Sequence, residues 1–168
     1  VAVGHQAAIS NTEGYQFIAI GANALYQNTT GCQNTASGAF SLGNNIEGNN
    51  NTAYGHNSLY SNTTGCQNTA SGAYALYANT TANVNTAFGE ASMKCNTTGA
   101  CNVAVGGSAL YCNTTASRNT AIGMNTLHDN TTGADLVGVG FKALCKNTTG
   151  GLNTSSGAYS MLNNTTGG

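Results

Sequence analysis

Residues Asn51–Gln67 read NTAYGHNSLYSNTTGCQ, and the whole chain is variations on this line. Gly residues stand at 4, 21, 38, 55, 72, 89, 106, 123, 140 and 157, spaced by 17 with no insertion or deletion. The line therefore occurs ten times in 168 residues. The first copy begins at Val1 without its opening residue, and the last stops at Gly168 without its closing one. Positions within a copy are numbered one to seventeen, with Asn51 at one and Gln67 at seventeen. A fixed period of this length is the mark of a repeat architecture, in which each copy is one structural unit stacked on the next.

A 17-residue line interrupted every few residues by Gly, Asn and Thr does not hold two helices, because these residues favour turns and extended chain. Positions two to four favour strand, as in Ile18-Ala19-Ile20, Val103-Ala104-Val105 and Val137-Gly138-Val139. Positions eight to eleven, such as Ala109-Leu110-Tyr111-Cys112, read as a second short strand. The Asn-Thr-Thr-Gly block reads as a turn. The expected fold is all-β: a parallel β-solenoid (β-roll) of ten 17-residue rungs, two short strands per rung. It forms one array over residues 1–168, expected to be a section of a longer chain, or else to stack end to end into a filament. Rungs about 4.8 Å apart make a rod about 48 Å long.

The composition agrees and removes other classes. Asn, Thr, Ala and Gly supply 96 residues, while Val, Ile, Leu and Phe supply 26, too few for a conventional core. With 4 basic and 5 acidic residues and a net charge of −1, the chain has no electrostatic footprint for nucleic acid. No apolar run reaches the ~18 residues that a membrane span needs. Each rung buries few side chains, so a lone rod stands to gain from association with other chains.

The recurrent positions receive structural roles. Gly at five, including Gly55 and Gly72, supplies a positive φ or room at a corner. Leu at nine, including Leu59 and Leu76, stacks as an inner ladder. Asn at twelve recurs in all ten copies, and it persists at Asn11 and Asn45 where Glu13 and Glu47 interrupt the Asn-Thr-Thr triplet. That persistence predicts an amide ladder, each side chain bonding to the next rung. Tyr60 and Tyr77 share position ten and are placed to stack.

The stretches VAVGHQA, IAIGANA and NVAVGGSA resemble the head repeat of trimeric autotransporter adhesins, which is built on a Val-Ala-Ile-Gly-x-x-Ala core. The wider unit NTAxGxxALxxNTTG is similar to repeats in bacterial surface and phage tail-fibre proteins. The resemblance spans the chain, although the unit is longer than the usual head repeat and Thr occupies position two in six copies. It implies a β-roll, often trimeric, in an extracellular fibre or adhesin.

Several residues invite chemistry. Asn28, Asn62, Asn79, Asn96, Asn113, Asn130, Asn147 and Asn164 open Asn-Thr-Thr sequons, and Asn50, Asn153 and Asn163 also fit the acceptor pattern for N-linked glycan. The alternative reading is that the triplet is turn chemistry alone. Cys95 and Cys112 share position eleven in adjacent rungs, within reach of a disulfide. Cys32 and Cys66 lie two rungs apart, roughly 9.5 Å and too far to bridge. These two, with Cys101 and Cys145, are left for pairing between chains or for buried thiols. No Cys/His cluster reads as a zinc site, and His128 stands alone. His5 and His56 share position six but sit three rungs apart. Glu13 and Glu47 recur at position fourteen with a spacing open to a glycosidase pair, yet read better as exposed turn residues.

The sequence thus points to a non-enzymatic structural protein, an extracellular fibre, fibril or surface appendage built by self-association as trimer or filament, without cofactor, nucleic acid or membrane insertion. Two alternatives stand beside it. One is an adhesin or phage-fibre head that binds a cell-surface ligand, and the other is an ice-binding protein.

Overall fold

The structure, a computed structural model, describes residues 1–167. Its strands are β1 (Ala2–Val3), β2 (Ile18–Ile20), β3 (Thr35–Ser37), β4 (Thr52–Tyr54), β5 (Thr69–Ser71), β6 (Thr86–Phe88), β7 (Val103–Val105), β8 (Thr120–Ile122), β9 (Val137–Val139) and β10 (Thr154–Ser156). They form one parallel sheet in sequence order. Each residue pairs with the one 17 positions on, as Thr52 with Thr69 and Ala53 with Ala70. Like lies upon like, and the chain is a β-solenoid. No described helix is long and apolar enough to cross a membrane.

Each rung has one strand rather than two. Positions eight to eleven run through turns, because positions seven and nine both adopt the left-handed conformation, as at Asn57 (φ 57°) and Leu59 (φ 50°). Position seventeen does the same, as at Gln67 (φ 59°). Left-handed backbone at a residue with a Cβ costs on the order of 1–2 kcal/mol. Leu at nine is held there from two sides. Its side chain is fully buried, and its N–H donates to the next rung, as from Leu59 to Ala75 at 3.0 Å. The next turn closes when Asn62 N–H donates to Leu59 O at 3.2 Å. Inter-rung bonding therefore continues around the coil where the sequence suggested a ladder of strands.

Gly at five is required twice over. At Gly72 φ is +138°, and a Cβ there would lie 2.5 Å from the carbonyl oxygen of Gly89 in the next rung. The interior is thin. Ala at three, Ala or Ser at eight and Leu at nine fill it, and Ala53, Ser58 and Leu59 have no exposed surface. Two adjacent rungs depart in a coupled way. Gly138 replaces Ala at position three, and Thr126 replaces the usual Ala or Ser at eight. A Cβ on Gly138 would stand 2.7 Å from the Thr126 methyl group, so that methyl occupies the space the Gly leaves.

Candidate functional site

Three features of this coil carry the protein's chemistry: an inner pair of amide columns, an outer sheet face, and one edge where sulphur, imidazole and carboxylate meet.

The first column is Asn at twelve. Each Nδ2 donates to the Oδ1 of the preceding rung without a break from Asn11 to Asn164, at 2.7–3.1 Å. The same Nδ2 donates to the position-fifteen carbonyl of its own turn, as Asn62 does to Gly65 O at 2.9 Å. Both amide hydrogens are thus used. This corrects the glycosylation reading of Asn28, Asn62, Asn79, Asn96, Asn113, Asn130 and Asn147, which are fully buried. A sugar on Nδ2 would delete a ladder bond and meet the rung above. Asn164 is part-buried in the same column, bonded to Asn147 Oδ1. Asn153 spends its Nδ2 on Gly151 O and Gly167 O. Among the candidate acceptors, only Asn50 and Asn163 are exposed.

A second amide column escaped the sequence reading. Asn at position one is buried too. Asn51 donates through its backbone N–H to Asn34 Oδ1 (3.0 Å) and through Nδ2 to Gly65 O (2.8 Å). Gly65 O therefore accepts from both columns, using both its lone pairs. A Cβ at this position would press on the position-twelve amide, which explains why Gly is usual there. Ala82 and Ala116 replace it in two copies and keep the bond, at 3.2 Å from Asn79 and 3.0 Å from Asn113. The signal for the second column was present in the recurrence of Asn34, Asn51, Asn68, Asn85, Asn102 and Asn119. Phe17 stands in its place before the run and Leu136 interrupts it before Asn153, and the position lies at the edge of a strand, where an outward polar residue is the usual reading.

The outer face is made by positions two and four, which point away from the interior while Ala at three points in. No charged residue stands at either position in any rung. Apolar side chains are exposed along it: Val3 (58%), Tyr54 (49%), Phe88 (46%) and Ile20 (45%), with Val105, Ile122 and Val139 further on. Position four alternates small and large through Ser37, Tyr54, Ser71 and Phe88.

The edge lies at positions ten and eleven. Position ten runs Tyr60, Tyr77, Lys94, Tyr111, His128, Cys145. Tyr60 and Tyr77 stack as expected, 5.5 Å apart and 10° from parallel. The Lys94 ammonium lies over Tyr74 and Tyr111, and Tyr111 stacks on His128 at 5.1 Å. Position eleven runs Cys95, Cys112, Asp129 beside them. Cys95 and Cys112 share a column as expected, and the structure carries both as thiols. His128 does not stand alone. A ring nitrogen of His128, Cys112 Sγ and an Asp129 oxygen all lie within 4.8 Å of one another. His128 Nδ1 and Asp129 Oδ1 are 2.6 Å apart. Sequence reading missed the group because it compared like positions only, whereas position ten of one rung adjoins position eleven of the rung before. Burial raises the Cys112 thiol above its ordinary value, and the neighbouring Cys95 and Asp129 push in the same direction. Cys145 is raised by burial first and then by Asp129.

The remaining candidates are separate. Cys32 and Cys66 are thiols, with Asn49 between them: its Oδ1 accepts from Cys32 N–H and its N–H reaches Cys66 Sγ. Cys101 is an exposed thiol. Glu13 and Glu47 are exposed on their turns. Arg118 and Asp135, both at position seventeen, form a bidentate surface pair at 2.7 and 2.8 Å, and the guanidinium holds the Asp135 carboxyl below the usual range. Compared with protein-family models, with curated proteins and with solved structures, the chain matches none.

Proposed function

We propose that the chain is a structural element of an extracellular fibre or surface appendage, a rigid rod whose working surface is the outer face of its ten-stranded sheet, bound to a second copy of itself. The observation that carries this reading is the combination on that face of exposed apolar side chains and a complete lack of charge over ten successive rungs. Contiguous apolar surface of this kind marks association. The likeness of VAVGHQA and IAIGANA to adhesin head repeats supports an extracellular setting.

The face is also self-complementary. Tyr54 and Phe88 stand out, and Ser37 and Ser71 leave notches two rungs apart, about 9.6 Å. A two-fold axis that sets a second rod antiparallel places Tyr54 over the second copy's Ser71 and Phe88 over its Ser37. The same axis sets Ile20 against Val105. An isologous contact needs such reciprocity.

Sedimentation across the micromolar range tests the reading. The wild-type chain is expected to associate. The variant Ile20→Lys/Val105→Lys is expected to associate more than tenfold more weakly, since a buried unpaired ammonium costs well above the 1.4 kcal/mol that a factor of ten represents. A monomer throughout, or equal association by the variant, overturns it.

Ice binding keeps one favourable observation: Thr35, Thr52, Thr69 and Thr86 form an outward column in register. The rings of Tyr54 and Phe88 rise beside that column and break the plane that a lattice match requires. Thermal hysteresis in a monomeric sample would favour this second reading over the first.

A further inference from the structure

The edge at positions ten and eleven brings three metal-ligating side chains together. We propose that Cys112, His128 and Asp129 form a binding site for one divalent cation of the zinc class, with a fourth position open to solvent. The three side chains offer a sulphur, an imidazole nitrogen and a carboxylate oxygen, the donor types that zinc takes. Their donor atoms already lie within 4.8 Å of one another. Ligand atoms around tetrahedral zinc are separated by roughly 3.3–3.8 Å, given bonds of about 2.0–2.3 Å. Small side-chain rotations close the difference.

The coil holds these groups in place. Cys112 N–H donates to His128 O at 2.9 Å, and Asp129 N–H donates to Cys145 O at 2.9 Å. The backbone beneath Cys112 and Asp129 is therefore fixed rung to rung, and only the side chains need adjust. Tyr111 lies flat against the His128 ring, 6° from parallel, which limits its rotation. The 2.6 Å contact between His128 Nδ1 and Asp129 Oδ1 already brings two of the three donor groups together. The pair opens to admit the cation between the ring nitrogen and the carboxylate. All three residues are half-buried, so the site is reachable from solvent.

Other groups border the site. Lys142 and Cys145 border the shallow hollow that also takes in His128 and Asp129. Cys95 lies one rung from Cys112 on the side away from Asp129. It is a potential disulfide partner for Cys112 rather than a required ligand.

Titration of the reduced chain with Co2+ under anaerobic conditions tests the proposal, read by the thiolate charge-transfer band and the visible bands of tetrahedral cobalt, with Zn2+ as competitor. One equivalent is expected to bind in the wild-type chain and in Cys95→Ser, and Zn2+ is expected to displace it. Binding is expected to weaken by at least tenfold in Cys112→Ser and in His128→Gln. Neither substitution touches the amide columns, so unchanged circular dichroism is expected in both, and Asp129→Asn provides a third variant. Absence of the charge-transfer band in the wild-type chain overturns the assignment. So does its persistence in His128→Gln, or its loss in Cys95→Ser, which would place cobalt on the thiol pair instead.

Discussion

Asparagine at position twelve shows how one side chain can be read in opposite ways from the same letters. Asn-Thr-Thr is both an acceptor for glycan and a turn with a ladder, and the choice turns on which way the amide points. Asn11 and Asn45 held the answer, because the Asn survives there without the sequon. The structure spends both Nδ2 hydrogens inside the coil. Removing one such group has consequences on three sides. Asn96 donates to Asn79 Oδ1 and Gly99 O, and it accepts from Asn113. The substitution Asn96→Ala leaves Asn79 Oδ1 buried without a donor, at about 1–3 kcal/mol before relaxation, and removes one of two bonds from Gly99 O and from Asn113 Nδ2. We expect a net loss on the order of 3 kcal/mol, measured by chemical denaturation. A neutral Asn96→Ala would mean that the column is not the internal support described here. The adjoining position-one column was less legible because Phe17 stands in its place before the run and Leu136 interrupts it, and because burial of a polar residue beside an outward Thr cannot be inferred from period alone.

At the scale of the element, the strand at positions two to four was readable and the segment at eight to eleven was not. Val-Ala-Val and Ile-Ala-Ile alternate cleanly, with the small residue inward. Leu at nine also reads as strand, and its inward direction was correctly expected. What propensity missed is its left-handed backbone, which is unusual for Leu and is maintained by bonds between rungs rather than by the residue's own preference. Each strand is packed against the turn segment of the rung before it, and Gly138 with Thr126 shows how tightly. Gly138→Ala is expected to destabilise the chain by about 1–3 kcal/mol through overpacking against the Thr126 methyl. Adding Thr126→Ser is expected to restore most of that loss. A double-mutant cycle by thermal or urea unfolding reads the coupling directly, and strictly additive effects would contradict it.

For the whole molecule, the 17-residue period was sufficient to establish a stacked parallel coil, since no other arrangement places equivalent residues of ten lines in contact. It could not establish what the rod's surfaces do. The outer face became legible only when positions two and four were seen to share one side of a single sheet, uncharged from end to end. The Cys112, His128 and Asp129 group required knowledge of which unlike positions are neighbours across rungs. Both surfaces depend on the register, so the register deserves the most direct measurement. Hydrogen exchange followed residue by residue by nuclear magnetic resonance provides it, with side-chain amides included. In the central rungs, slow exchange is expected to recur every 17 residues, at the backbone N–H groups of positions two, five, nine and twelve and at Nδ2 of the asparagines at one and twelve. Rapid exchange at those Nδ2 groups, or protection that recurs with a helical period or with none, would contradict the stacked coil on which every other statement rests.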